Sequence, residues 1–86
     1  MSYYVYMLLT VNSKTLITYV GYSKDPIKRL DRHNRGIGAK FTKGRMWKII
    51  YKKKLKTKSD ALKFEYFLKK NIKLRKTIKE KNINEH

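Results

Sequence analysis

The sequence predicts one small α/β domain of the α+β type, in which three short strands and at least two helices share a core. The chain has 86 residues with no internal repeat and no linker, which is the size of a single domain. Three runs are rich in aromatic and β-branched residues, and two segments carry helix-capping residues. A domain of this length buries only roughly 60–65% of its unfolded surface, so we expect a small core.

Residues 3–9 (YYVYMLL) predict the first strand. Both of its faces are apolar, which is typical of a central strand of a sheet. We expect residues 10–16 to form a hairpin connection to a second, antiparallel strand at residues 17–22. Alternation along the first strand places Tyr4, Tyr6 and Leu8 on one face of the sheet. It places Tyr3, Val5, Met7 and Leu9 on the other face.

The third strand is predicted at residues 47–55 (WKIIYKKKL). A regular alternation would place Trp47, Ile49 and Tyr51 on one of its faces and Ile50 on the other.

A first helix is predicted at residues 26–34, because Asp25 is a good N-cap and Pro26 suits the first helical position. We expect Ile27 and Leu30 to dock this helix against the sheet.

Arg29 and His33 lie four residues apart on this helix, so their side chains share one face. Together with Tyr19 on the preceding strand they make a plausible set of phosphate-handling groups. An Arg/His pair is more commonly part of a solvated basic face, so these residues alone leave both interpretations open.

A second helix is predicted at about residues 59–71, with Ser59 or its neighbour as the cap. Glu65 falls at the edge of the apolar stripe rather than on the lysine-rich side. A carboxylate that points inward is costly unless it is paired or binds a cation. A salt bridge to a nearby lysine and a cation site are equally compatible with this position. The apolar stripe consists of Ala61, Phe64, Leu68 and Ile72.

The charge of the chain indicates a polyanionic partner. Twenty-three Lys and Arg residues face only six Asp and Glu residues, which gives a net charge of +17. A lysine-rich codon bias explains the preference for Lys over Arg but not the scarcity of acids. Nucleic acid is therefore the expected partner. No cysteine is present, which excludes disulfides and thiolate zinc sites.

A glycine-punctuated basic loop is predicted at residues 34–46 (NRGIGAKFTKGRM). Phe41 in this loop could stack on a base or anchor the loop in the core. The pattern of a phosphate-cradling NTPase loop is absent. The loop offers four candidate phosphate donors, which are Lys40, Thr42, Lys43 and Arg45.

The order of these features resembles the GIY-YIG endonuclease superfamily, and more narrowly its small single-domain branch. Residues 4–6 (YVY) stand where the family has Gly-Ile-Tyr, and residues 19–21 (YVG) stand where it has Tyr-Ile-Gly. The spacing of Arg29 and His33, the basic loop and Glu65 also match, so the resemblance covers roughly residues 3–75. It implies a small three-stranded antiparallel sheet flanked by helices.

The resemblance also implies a metal-dependent DNA endonuclease with five catalytic residues. Tyr6 resembles the tyrosine that activates water, and Tyr19 resembles the tyrosine that supports it. Arg29 resembles the arginine that holds the scissile phosphate, and His33 the histidine that orients the tyrosine or the phosphate. Glu65 resembles the sole protein ligand of a Mg²⁺ or Mn²⁺ ion.

The domain and its partners follow from the same resemblance. We expect residues 1–75 to form the nuclease-like domain and residues 76–86 a basic tail that frays. Ile72, Leu74 and Ile78 could support a short helix where this tail begins. Lys24 would add charge near the site. DNA is the expected partner, in repair or recombination, with a second copy, another protein or a second encounter needed to cut both strands. The alternatives are a DNA-binding module of the same fold with little cleavage activity and a basic RNA-binding protein.

No apolar run approaches the ~20 residues of a membrane span and no signal peptide is evident. We therefore expect no membrane association and an intracellular location, in the cytoplasm or nucleoid or in the host cell of a virus.

Overall fold

The structure is a computed structural model that describes residues 2–84. Within these residues no helix is both long enough and apolar enough to cross a membrane. The elements follow the chain as β1 (Tyr3–Thr10), β2 (Thr18–Ser23), α1 (Pro26–Asn34), β3 (Trp47–Leu55), α2 (Lys58–Lys70) and α3 (Ile72–Asn84).

The three strands form one antiparallel sheet in the order β2-β1-β3. The predicted α+β fold and the central position of β1 are therefore confirmed. β1 is fully buried from Val5 onward, because it has a neighbouring strand on each side and apolar groups on each face. In its pairing with β2, Tyr6 lies opposite Gly21 and Leu8 lies opposite Tyr19.

Each face of the sheet carries its own apolar cluster. On one face, Val5 and Met7 pack with Val20 and with Ala61 and Leu68 of α2. On the other face, the buried side chains are Tyr6, Leu8 and Trp47, and Leu30 of α1 packs against them. The alternation of β1 thus separates a face that holds α2 from a face that holds α1.

A β-bulge in β3 changes the predicted alternation of that strand. Met7 pairs with Tyr51 and Leu8 pairs with Ile49, so Ile50 is an extra residue between them. Trp47 and Ile49 lie on the Tyr6 face, but Tyr51 packs on the Val5 face. The prediction that Tyr51 shares a face with Trp47 is therefore wrong, because one inserted residue reverses the alternation beyond it.

Helix α1 begins and ends where the capping residues predict. The Asp25 side chain accepts a hydrogen bond from Lys28 N at 3.1 Å, and Pro26 follows it in the first turn. Leu30 contacts the sheet as expected, but Ile27 is 62% exposed. The docking role predicted for Ile27 is wrong, and buried His33 occupies the inner face of the helix instead.

The second helix is capped by Thr57, whose hydroxyl accepts a hydrogen bond from Asp60 N at 3.0 Å. It ends at Lys70 with Asn71 as its C-cap, and Ile72 is exposed rather than part of the predicted apolar stripe.

Helix α3 then runs to Asn84, so the described part of residues 76–86 is helical, in contrast to the expected frayed tail. Ile78 packs against the Val5 face, which explains why this segment is helical. Residues 85 and 86 lie outside the described residues.

Candidate active site

Tyr6 and His33 form a buried contact at the centre of the Tyr6 face. The Tyr6 hydroxyl lies 2.8 Å from Nε2 of His33, although the residues are 27 positions apart. Tyr6 is 2% exposed and His33 is 1% exposed. The solvated-face interpretation of His33 is therefore wrong, since its imidazole is a buried group with a specific partner.

Thr42 holds the opposite edge of the imidazole. Its Oγ1 lies 2.8 Å from Nδ1 of His33, and its hydroxyl donates to the carbonyl oxygen of Ala39 at 3.0 Å. Thr42 is fully buried. Its predicted role as a surface donor to phosphate is therefore wrong, because its hydroxyl is already occupied inside the protein.

The loop reaches His33 because both of its ends and its middle are fixed. The Asn34 amide donates to Trp47 O at 3.1 Å, and Trp47 N donates to Asn34 Oδ1 at 2.7 Å. The Trp47 indole N–H donates to Thr42 O at 3.0 Å. At Gly38, an added Cβ would lie 2.5 Å from Nδ1 of His33, so only glycine permits this approach. Sequence reasoning missed Asn34 and Trp47 as supports of the site.

Tyr19 lies on the edge strand β2, on the same face of the sheet. Its ring centroid is 5.2 Å from that of His33 in an edge-on arrangement. Phe41 stacks on Tyr19 from the loop, with centroids 6.0 Å apart and an interplanar angle of 21°. Phe41 is 52% exposed, so it covers Tyr19 rather than entering the core, and its outer part is open to a ligand.

The electrostatic environment keeps both tyrosines protonated in the free protein. Burial raises the pKa of Tyr6 strongly, the charges of Tyr19 and Glu65 raise it further, and the Arg29 guanidinium opposes them. Burial and Glu65 raise the pKa of Tyr19, and Arg29 again opposes them. Burial, followed by the charge of Arg29, lowers the pKa of His33 and favours the neutral imidazole. Arg29 and Glu65 therefore act on the same group of aromatic side chains from two different helices.

Glu65 is the acidic residue whose charge acts on both tyrosines. Its side chain is 16% exposed, and it forms a loose ion pair with Lys69, with 3.7 Å between Oε2 and Nζ. Within residues 2–84 no group of three His, Cys, Asp or Glu side chains could hold a metal ion. One carboxylate suits Mg²⁺, which keeps several waters and uses few protein ligands. The loose Lys69 pair leaves the carboxylate available, so the residues present fit such an ion.

A basic cavity of about 390 Å³ lies beside Arg29. Lys24 and Lys58 line it together with Arg29, so three cations border one space large enough for a phosphate group. Lys24 was predicted to add charge near the site, and this placement agrees with it. Lys58 was not predicted, because its proximity depends on how the start of α2 packs beside β2.

The remaining predicted phosphate donors lie on the loop surface. Lys40 and Lys43 are exposed. Arg45 is exposed too, and its guanidinium donates to Phe41 O at 2.9 Å and lies 5.5 Å from the Phe41 ring centroid. Of these three cations, Arg45 therefore lies against Phe41, the residue that stacks on Tyr19.

Comparison with known proteins identifies the family of the chain. The model of the GIY-YIG catalytic domain matches residues 2–81, which is nearly the whole chain. The chain belongs to this family, and the family is one of nucleases.

The relatives that match are small proteins called UPF0213. One from Staphylococcus saprophyticus is 44% identical over 68 residues, which cover 78% of this chain and 79% of that protein. One from Staphylococcus aureus is 50% identical over 52 residues, and this match spans 59% of the chain and 63% of the relative's length. A solution NMR structure of a UPF0213 protein from Bacillus halodurans is 31% identical, with a TM-score of 0.47 over 90% of this chain and 80% of that one.

Proposed function

We propose that the protein is a metal-dependent endonuclease that hydrolyses phosphodiester bonds in DNA. The observation that carries this proposal is the buried Tyr6–His33 contact, at 2.8 Å, within the field of Arg29 and Glu65. A purely structural tyrosine would not need a buried imidazole as partner, with a cation and a carboxylate close enough to act on its pKa. Such a group is suited to proton transfer beside a charged substrate.

The Tyr6 oxygen would take a proton from the attacking water while the Tyr6 hydroxyl proton moves to His33. The high pKa of Tyr6 means that it does not ionise in advance, so the transfer has to accompany the attack. His33 lies within hydrogen-bond reach of the Tyr6 oxygen and is the partner for this proton. Tyr19 packs against the same imidazole and limits its movement.

Arg29 would hold the scissile phosphate. Its guanidinium is a fixed fork of donors that suits phosphate oxygens, and it lies where its charge already acts on Tyr6. Lys24 and Lys58 border the same cavity and would hold the neighbouring backbone phosphates. Their positive charges stabilise the additional negative charge that develops in the transition state.

Glu65 would hold the metal ion. When bound, Mg²⁺ or Mn²⁺ supplies positive charge to the transition state and lowers the pKa of water. Without a cation, the charge of Glu65 raises the pKa of both tyrosines and so opposes their ionisation. A cation bound to Glu65 would neutralise this charge and so remove its effect on the pKa of the tyrosines. A salt bridge to Lys69 alone would not account for that role.

DNA is the proposed substrate because of the charge of the chain. A net charge of +17 favours a polyanion, and Lys40, Lys43 and Arg45 extend the basic surface from the site. The chain contributes one such site and would cut one strand at a time. Cleavage of both strands would require a second copy or a partner protein, and repair or recombination is the proposed process.

The proposal is tested by comparing Glu65→Gln with a control, Glu80→Gln. Both residues form loose ion pairs with a lysine four positions away, but Glu80 is on the exposed face of α3. The protein is incubated with Mg²⁺ or Mn²⁺ and a panel of supercoiled, linear, single-stranded and branched DNA. We expect cleavage by the wild type and Glu80→Gln, loss of cleavage in Glu65→Gln, and unchanged DNA binding in all three.

Two outcomes would overturn the proposal. Tight, salt-dependent DNA binding with no cleavage under any metal would instead indicate a DNA-binding module of this fold. Co-purified nucleic acid that RNase removes, with no cleavage of DNA, would indicate an RNA-binding protein.

A further inference from the structure

Thr42 contacts two groups that place different demands on its single hydroxyl proton. Oγ1 lies 2.8 Å from Nδ1 of His33 and 3.0 Å from the carbonyl oxygen of Ala39. A carbonyl oxygen can only accept, whereas an imidazole nitrogen donates or accepts according to its tautomer. The Thr42 hydroxyl therefore donates its proton to the carbonyl oxygen of Ala39. Nδ1 of His33 then has to carry a proton and donate it to Thr42 Oγ1.

We propose that Thr42 is a positioning residue that fixes His33 in the tautomer protonated at Nδ1. In that tautomer Nε2 carries a lone pair and accepts the hydroxyl proton of Tyr6 across the 2.8 Å contact. The hydrogen bonds then run in one direction, from Tyr6 through His33 and Thr42 to Ala39. The catalytic consequence rests on the proposed nuclease function, but the tautomer itself does not.

The surroundings of Thr42 and His33 hold both side chains in this arrangement. Thr42 and His33 are both buried, and the Trp47 indole holds the Thr42 carbonyl at 3.0 Å. Gly38 lies against the imidazole so closely that an added Cβ would be 2.9 Å from Cα of His33. Among the described residues every buried side-chain nitrogen and oxygen has a partner, as this arrangement requires.

This orientation determines where a proton can go during hydrolysis. As Tyr6 takes a proton from water, its original O–H bond breaks and a new N–H bond forms at Nε2. Tyr6 is then neutral again, His33 is an imidazolium, and hydroxide has been delivered to the phosphate. The water oxygen then bonds to phosphorus as the bond from phosphorus to the leaving oxygen breaks. The leaving oxygen takes a proton from solvent, and His33 returns its proton to solvent. With the opposite tautomer Nε2 already carries a proton, and this transfer cannot occur.

The test uses Thr42→Val and Thr42→Ser in a His86→Gln background, so that His33 is the only histidine. The ¹⁵N chemical shifts of the ring are measured by NMR at a pH at which the imidazole is neutral. We expect a protonated Nδ1 and a lone pair on Nε2 in the parent and in Thr42→Ser. Thr42→Val removes the acceptor for Nδ1–H, so we expect the proton to move to Nε2 and point at Tyr6.

Cleavage assays on the same variants measure the catalytic consequence. We expect Thr42→Val to lose about tenfold or more in rate, as for loss of a general base, with rescue by Thr42→Ser. A parent protonated at Nε2, or a Thr42→Val ring with an unchanged tautomer, would overturn the proposal. If Thr42→Val does not fold, the parent spectrum alone decides. A parent that cleaves no DNA but shows Nδ1–H would contradict only the nuclease function.

Discussion

Gly21 lies directly opposite Tyr6 in the sheet, and a Cβ added to Gly21 would lie 2.6 Å from the Tyr6 hydroxyl and 2.8 Å from Cζ. The Tyr6 ring therefore lies across the backbone of β2, in space that any other residue would fill. The glycine of the YVG segment makes room for the hydroxyl that contacts His33.

Gly21→Ala is expected to displace Tyr6 from His33. Because the ring is buried and Tyr19 is only 3.1 Å from the added Cβ, the overpacking should cost about 1–3 kcal/mol. Urea denaturation measures this cost, and the cleavage assay measures loss of the contact. Gly44→Ala is the control, since it meets no atom within 4 Å and adds only the strain of a positive φ of 83°. Equal cleavage by Gly21→Ala and the wild type would contradict this account.

Tyr6→Phe keeps the ring and removes the oxygen. His33 Nε2 then has no partner, so we expect a loss of about 1–3 kcal/mol in the free energy of unfolding. If Tyr6 activates water, cleavage should fall by about 10²–10⁴-fold. Tyr66→Phe, on the exposed face of α2, is the matched control for stability and rate. Retention of full activity by Tyr6→Phe would remove Tyr6 from the mechanism.

Local features of the sequence were sufficient where the structure depends on neighbours along the chain. Helix α1 has its predicted bounds, because Asp25 and Pro26 specify its start by contacts within one turn. The face of Tyr51 could not be predicted, because the bulge is visible only in the pairing of β3 with β1. The order of residues beyond 76 likewise depends on the packing of Ile78.

The same distinction applies to the candidate site. Residue types and spacing pointed to Tyr19, Arg29, His33 and Glu65, and the family resemblance added Tyr6; their catalytic roles stay predictions. The placement of Thr42 required knowledge that the loop folds back onto His33. A threonine in a basic, glycine-punctuated loop resembles a surface donor in the sequence, and only the long-range contact with His33 assigns it to the interior.

The buried pair predicts a pH dependence of stability at both ends of the range. The pKa of His33 is lowered from 6.5 in the folded state, so below about pH 6.5 the unfolded chain binds more protons and stability falls. The pKa of Tyr6 is raised from 10.0, so above about pH 10 the unfolded chain loses its proton first and stability falls again. Urea denaturation between pH 5 and 11 measures both limbs. His33→Gln should remove the loss of stability at low pH, and Tyr6→Phe should remove the loss at high pH. If stability still falls steeply on that side in the variant, another group causes the pH dependence there.

Lys43 is predicted to contact a DNA phosphate through an exposed ammonium group. Lys43→Gln should weaken binding for all sequences and reduce the slope of log K against log salt by about 1. Fluorescence anisotropy at several salt concentrations measures this slope. Lys81→Gln near the end of α3 removes the same charge at another exposed position. An equal effect of both substitutions would indicate general charge rather than a contact at the loop.

Lys69 is predicted to compete with a metal ion for Glu65. Its Nζ lies 3.7 Å from the carboxylate and the Lys69 side chain is 53% exposed, so the contribution of the ion pair should be at most about 1 kcal/mol. Lys69→Gln should therefore increase Mn²⁺ affinity up to about fivefold, measured by calorimetry without DNA so that loss of a DNA contact cannot interfere. Lys76→Gln releases Glu80 from an equivalent pair and should leave the affinity unchanged. If Lys69→Gln and Lys76→Gln both bind Mn²⁺ like the wild type, Lys69 does not compete with the ion. If Glu65→Gln alone then loses binding, Glu65 is still the residue that binds the ion.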